Sequence, residues 1–573
     1  MSFFHIFPIR LLQFLIFLSV EICFCQNYDF YNKCNFSFEK KIIADNPWNA
    51  DYDENGTSFY DSFDYTEGKY SMVLTSRGML LPFNSSVFQY LTLPALSDKI
   101  EITIDSKSQN ISSAWLKVAC LNKEEKIILM DSVSIVSPKA WKTSSFVLQT
   151  KNIQYLYIEI QVESNSTVKG FKKQNIDNLN IKYNNIGYNN DINIEPSPSF
   201  SPIYPIEIGS KANNYLDSIS DLKKHKILAI GESVHGSDEC QELVYEFIKY
   251  QITKNGCRLI MFEMPFNLGL LVNSYIGGTN IEIEKELMIY NCNIVRFIEF
   301  IDWIKAHNSQ IKDKVLFLGI DNNTNLIDTD YFGVYLKNRN SEKDSLQMIY
   351  DFIVKGDYKA TINYIKKYNV LNHLEKKKQK IFIYELEKLI SERNKSYQQS
   401  KNERDNNMFK NVIFGITKLL ADSSTAVIYG HLAHVNKVNS YMGKIYNPSL
   451  GYHMKKRFGE QYFVIALLLG EGEITSNEKF IRKYNCKIYE PTENSIERIC
   501  RSVSKNDFYS KISNNIPSLT CRIIGLNYST RQFYPTSAKN RFDALFYIKN
   551  SSGFKYPENW PKTIDEYLKN KTN

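Results

Sequence analysis

The stretch KILAIGESVHG, residues 226–236, is an apolar run that ends abruptly in Glu232 and His235, flanked by Gly231 and Gly236. An unbroken apolar run bounded by turn residues marks a strand buried on both faces, as in a parallel sheet. Polar groups placed directly after such a run sit at the strand's carboxyl end, where open parallel sheets form their ligand crevice. Three later segments repeat the pattern: RLIMFEMP (258–265) ends its run at Glu263, VLFLGID (315–321) at Asp321, and TAVIYGHLAH (425–434) at His431 and His434. Taken singly, a strand-end carboxylate often caps the next helix, and a lone histidine is more often a hydrogen-bonded structural residue. Six such residues at corresponding places in one domain make an active site the better reading.

Working outward, strands expected at 226–232, 258–263, 315–320, 425–430 and 462–469 alternate with helices at 237–254, 294–307 and 450–458. In the first helix Ser237, Asp238 and Glu239 suit the amino-terminal turn and Gly256 the end. From residue 205 to 573 the chain therefore reads as an α/β domain with a largely parallel sheet. Residues 341–420 interrupt the alternation with helix after helix, as in LEKKKQKIFIYELEKLISERN (374–394). This is read as a helical insertion or lid whose charge runs are solvated faces.

Before the α/β domain the period changes. SMVLTS (71–76), KIEITIDS (99–106), WLKVACL (115–121) and YLYIEIQVES (155–164) alternate with a period of two between regular turns, which predicts an all-β, jelly-roll-like sandwich over residues 26–184. Residues 185–204, dense in Asn, Pro and Ser, read as a linker. Trp48, Tyr60 and Tyr70 admit two readings, a sugar-stacking platform or core packing, and aromatics of sandwiches are more often core.

A chain of 573 residues exceeds what one core serves, about 250 to 300 residues. Hydrophobic content of 43% and charged content of 23% are those of a globular protein. The net charge of +8, from 70 basic and 62 acidic residues, is scattered and builds no nucleic-acid stripe, so no nucleic-acid partner is expected. Residues 1–25 read as an export signal: Arg10, an apolar core from Leu11 to Val20, then Cys23-Phe24-Cys25 before Gln26. A lipid anchor on Cys23 or Cys25 competes, although Val20-Glu21-Ile22 is a poor lipobox. No later run reaches the roughly 20 apolar residues of a membrane span, so the expectation is a mature chain without a transmembrane helix, destined for periplasm, cell surface or medium. Cys34 and Cys120 are placed to staple the sandwich, and no Cys/His spacing suggests zinc.

Within the strand-end set, His235 is the candidate general base, because an imidazole with an unperturbed pKa near 6.5 accepts a proton from water at neutral pH. Glu232 or Glu263 would orient it. His431 and His434 would donate to a developing oxyanion or return a proton to the leaving alcohol. Ser233 lacks the Gly-x-Ser-x-Gly elbow of a serine nucleophile, which favours direct attack by water. Two further readings stand beside this one: a divalent ion held by the same Glu/His cluster, and a non-catalytic glycan-binding surface protein.

The segments GESVHGSDE and FEMP, Trp303 with His307-Asn308, Arg404-Asp405 with Met408, HLAH, and FDALFYI near residue 542 together resemble the erythromycin esterase family across about residues 212–550. The resemblance implies a metal-independent ester hydrolase without a cofactor. In it His235 would activate water, and Glu232, Glu263, His431 and His434 would complete the site. Arg404, with Asp321, would bind substrate, or Arg404 would pair with a carboxylate beneath the site. Leu432, Cys292 and Arg296 depart from the family pattern, which puts the substrate cleft in question. The family also carries antibiotic resistance. Its resistance enzymes usually act in the cytoplasm, which fits an exported chain poorly. The expected substrate is a small-molecule or glycan-linked ester, with carbohydrate a possible partner of the sandwich.

Overall fold

The computed structural model describes residues 35–39, 48–53, 55–78, 80–167, 169–188, 203–206, 208, 214–287, 292–322, 332, 343–371, 376–392, 397–438, 448–478, 481–491, 495–512, 519–525, 528, 532–536 and 538–556. The expected export signal, Cys34 and most of the expected linker lie outside them. The chain divides into two compact units, residues 1–194 and 195–573.

In the first unit the described strands form a nine-stranded antiparallel sheet. Strand Phe83–Gln109 pairs along its length with Lys142–Ser164, and its second half also pairs with Lys173–Tyr183. Its register shifts between Thr92 and Ser97, the irregularity by which a long strand turns from one layer of a sandwich to another. The period-two pattern fills the core: Ile100, Ile102, Ile104, Leu116, Val118, Ile158, Ile160 and Val162 are all buried. Pairing continues to Ile186–Gly187, so the sandwich ends slightly later than the sequence suggests. Trp48 takes the core reading. It is buried, stacks on Phe38 with ring centroids 5.5 Å apart, and donates to the Asn35 carbonyl at 3.1 Å, which leaves no face for a sugar. Cys120 is a buried free thiol, and burial pushes its pKa up to about 12.

The second unit is built on an eight-strand path that the apolar runs supply. Its strands are β1 (Ile227–Glu232), β2 (Cys257–Pro265), β3 (Leu316–Asp321), β4 (Thr425–His431), β5 (Tyr462–Glu478), β6 (Phe508–Lys511) and β7 (Ala544–Ser551), with Ile203–Pro205 at the β6 edge. Across the sheet the order is β6-β7-β5-β1-β4-β2-β3. Every neighbour from β7 to β3 is parallel, and β6 is antiparallel to β7. The edge strand at 203–205 begins inside the expected linker and ends on the first residue of the expected domain. Between β1 and β2 runs α1 (Asp238–Lys254), whose Ser237 hydroxyl accepts from the Cys240 amide at 3.3 Å. Gly256 follows with φ of +65° and releases the chain into β2.

The chain leaves β1 and returns as β2 two places further on, and β4 later fills the gap. Such a change of order opens a crevice at the strands' carboxyl ends. It is here that β1, β4, β2 and β3 end, in Glu232, His431, Glu263 (two residues before the end of β2) and Asp321. Two glycines make the crossing possible. A Cβ on Gly430 would stand 2.9 Å from the Glu263 Cβ, and Gly236, at φ of +94°, would place one 1.7 Å from the Thr475 carbonyl oxygen.

Flanking helices include α2 (Phe266–Ile276), α3 (Ile294–Gln310), the expected helical run as α4 (Lys343–Val354), α5 (Tyr358–Tyr368), α6 (Lys376–Glu392) and α7 (Tyr397–Phe414), and α8 (Leu450–Phe458). The solvated-face reading of α6 fails at two positions. Glu385 and Lys388 are buried, because the helix's Ile381, Phe382, Leu386 and Leu389 face the core and carry these neighbours inward. No described helix is long and apolar enough to cross a membrane.

Candidate active site

His235 lies on the short turn between β1 and α1. Its amide donates to the Ile524 carbonyl at 3.2 Å, the Ser233 carbonyl accepts from the Ile524 amide at 2.9 Å, and the Thr475 amide donates to the Gly236 carbonyl at 3.0 Å. The loop is thus pinned on both sides. The His235 Nδ1 stands 2.5 Å from Glu232 Oε1, and Glu232 Oε2 accepts from the Tyr429 hydroxyl at 2.5 Å. With Nδ1 committed to a carboxylate, Nε2 is the basic nitrogen, the arrangement that a histidine base and its orienting acid adopt. Burial alone would lower the His235 pKa, but the Glu232 carboxylate against its ring outweighs it and holds it above the ordinary value.

His431 ends β4 in register with Glu232, and its ring centroid is 4.7 Å from that of His235. Its amide donates to Glu263 Oε2 at 2.6 Å. Burial, followed by the positive charge of His235, holds its pKa well below the ordinary value, so the ring is neutral. Its Nε2 is buried without a partner.

His434, one helical turn on, is used differently. It is 2% exposed, its Nδ1 sits 2.9 and 3.1 Å from the two Asp405 oxygens, and its Nε2 is 3.1 Å from an Arg404 nitrogen and 3.3 Å from Glu263 Oε1. The expectation that both histidines face the reacting group is corrected here: both nitrogens of His434 are engaged inside the protein. Asp405 itself accepts from the Leu450 amide at 2.8 Å, at the positive end of α8.

Arg404, from α7, closes the network beneath these groups. Its Nε and Nη2 bind Asp321 at 2.9 and 2.6 Å in a bidentate fork, and Nη2 also reaches Glu263 at 2.8 Å. Burial would raise both acids. For Glu263 the charges of His434 and Arg404, and for Asp321 that of Arg404, reverse the effect and hold them below the carboxylate range. Two carboxylates at one guanidinium nitrogen would repel by about 3 to 4 kcal/mol at 4 to 5 Å and an effective dielectric of 20, so the cation is what lets both stay ionised. Of the two sequence-based roles for Arg404, pairing beneath the site is the observed one, and Asp321 is its partner. Among the described residues no three His, Cys, Asp or Glu side chains form a metal-binding group. The acid oxygens of Glu263 and Asp321 point at a guanidinium already in place.

All six strand-end residues therefore belong to one continuous network. Glu232, rather than Glu263, orients His235. Ser233 is fully buried with its hydroxyl unpartnered, which removes it as an accessible nucleophile. Sequence reasoning missed Tyr429, although it precedes His431 by two on an alternating strand and so shares its face. It also missed Lys388, whose Nζ donates to the Asp321 carbonyl at 3.0 Å from a helix read as solvated. Arg296, a departure from the family pattern, binds Asp238 at 2.7 and 2.9 Å and Glu242 at 3.0 Å, fastening α3 to α1.

The family model for erythromycin esterase matches residues 252–551, more than half of the chain. The chain belongs to the erythromycin esterase family. Membership of the erythromycin esterase family supports a hydrolase. Erythromycin esterase type II of Escherichia coli is 22% identical over 414 residues, covering 61% of this chain and 96% of that one. A solved succinoglycan biosynthesis protein is similar at 16% identity over 61% of this chain and 95% of its own, with a TM-score of 0.49. The first unit is similar to TmCBM61, solved with β-1,4-galactotriose, at 16% identity over 26% of this chain and 95% of that one, with a TM-score of 0.21. Glu232 and His235 lie before the residues matched by the erythromycin esterase model, so their part in the site rests on geometry.

Proposed function

We propose that the chain is an exported hydrolase that cleaves a carboxylic ester or lactone with water activated by His235. The His235–Glu232 pair, with Tyr429 behind it, is the observation that carries this reading. His235 Nε2 removes a proton from water as the oxygen adds to the ester carbonyl carbon. The tetrahedral intermediate then expels the alcohol, and the proton on His235 passes to the departing oxygen. Glu232 holds the ring's tautomer and stabilises the imidazolium between the two steps. His431, neutral and beside His235, is the second imidazole at the reacting group. Arg404, Glu263, Asp321, His434 and Asp405 hold His431 and the strand ends in place.

A screen of acyl esters, lactones and ester-decorated polysaccharides, run beside a His235→Ala control, tests the reading. Hydrolysis that is absent from the control supports it, and equal turnover by both proteins rejects it.

The charge pairing carries a signed pH dependence. The base is active only when neutral, so kcat/KM falls as pH drops through the raised His235 pKa. In Glu232→Gln the main opposition to burial is gone, so the His235 pKa falls and the acid limb moves to lower pH. The plateau falls as well, because an amide does not stabilise the imidazolium. A pH profile of kcat/KM for both proteins measures this, and an unmoved acid limb would show that another group titrates.

A further inference from the structure

The outward face of the sandwich carries a feature that the hydrolase does not use. Strand Ser113–Leu121 runs between Ile127–Ser134 and Lys142–Ser164, and its alternation sends Ala114, Leu116 and Val118 fully into the core. The opposite face carries Trp115, 39% exposed in mid-sheet, over a concavity of about 300 Å³ lined by Ser113, Trp115, Lys117, Ser132, Gln161 and Glu163. An indole left in water forgoes the burial that makes tryptophan stabilising, and such residues favour interfaces where one side is apolar and the other wet.

We propose that this concavity binds a glycan chain, with one pyranose ring stacked on Trp115. The lining selects the chemical class. A pyranose offers an apolar C–H face to the indole and a rim of hydroxyls, each both donor and acceptor. Around the indole stand a donor in Lys117, an acceptor in Glu163, and groups that do both in Ser113, Ser132 and Gln161. A purely aliphatic ligand would strip water from these five polar groups without replacing it, at about 1 to 3 kcal/mol each. A polyanion would meet Glu163. The amide is already held in place: Lys117 donates to Gln161 Oε1, and Gln161 Nε2 donates to Asn84 Oδ1 at 3.4 Å. Preorganised polar groups of this kind lower the ordering cost of binding. The sugar platform expected at Trp48 thus lies instead on the opposite kind of position, an outward-facing residue of a strand paired on both sides.

Affinity electrophoresis of the full chain through gels containing β-1,4-galactan, xylan, mixed-linkage β-glucan or galactomannan tests the proposal. Retardation of the wild-type protein by at least one polysaccharide is expected. Trp115→Ala is expected to bind at least about tenfold more weakly, as a buried tryptophan anchor would, Trp115→Phe to keep part of the affinity, and Gln161→Ala to lose several-fold. Thermal melting, and hydrolysis of any small soluble ester, should not change in these variants, which separates this site from the hydrolase reading. No retardation in any gel, or Trp115→Ala retarded as strongly as the wild type, would overturn it.

Discussion

His235→Ala is expected to lower kcat/KM by about 10² to 10⁴ fold, the usual contribution of a positioned general base. The loss should appear in kcat, because a base works in the transition state and contributes little to ground-state binding. The His235 side chain is about a fifth exposed and pairs with Glu232, which keeps the Tyr429 hydroxyl after the change. The fold should therefore survive, and an unchanged melting temperature is the control that makes the kinetic result interpretable. His434→Ala is a contrasting case, since it removes a buried ring between Asp405, Arg404 and Glu263. A loss of activity there reports on structure as much as on chemistry.

Arg404→Met should have the largest effect on stability. The guanidinium binds Asp321 twice and Glu263 once, and Glu263 in turn holds the His431 amide. Removing one member of a buried ion network leaves charges uncompensated and costs about 3 to 5 kcal/mol, with the lower end expected because the arginine side chain is about a third exposed. Glu263 and Asp321 would both be released to rise toward the carboxylate range, so the loss is greatest at neutral pH and shrinks as the solution becomes acidic enough to protonate them. Urea unfolding of the variant and the wild type at pH 7 and pH 4 reads both points. Arg404→Lys restores the charge but not the planar fork, and should recover only part of the stability. A variant as stable as the wild type at pH 7 would mean that the acids are neutralised by something else.

The parts of this site that follow a period were legible in the chain. Glu232, Glu263, Asp321 and His431 each stand at or just before the end of an apolar run, and parallel strands of similar length bring their ends to one edge. The helix at 450–458 was equally plain, since Ser449 and Gly459 punctuate both of its ends. What a sequence does not display is partner choice across the chain. Glu232 and Glu263 look alike as strand-end acids. One meets the imidazole of His235 because the turn after β1 brings a residue only three positions on back to the strand end, while the other meets Arg404, which reaches the site from α7, 141 residues further on. His431 and His434 look like a pair, yet a turn of helix sends one ring to His235 and the other into the protein. Lys388 and Glu385 were hidden among charges that do face water. The Trp115 site was hidden differently, because an aromatic residue on an alternating strand is assigned to the core unless its parity is tracked from the buried positions on either side.

The central claim is that water itself, deprotonated by His235, attacks the substrate. Single-turnover hydrolysis of an active ester in H₂¹⁸O, quenched in acid and followed by mass spectrometry of both protein and product, tests it most directly. The expected result is ¹⁸O in the carboxylic acid from the first turnover and a protein of unchanged mass at every time point. An acylated protein, or an unlabelled acid in the first turnover, would contradict it.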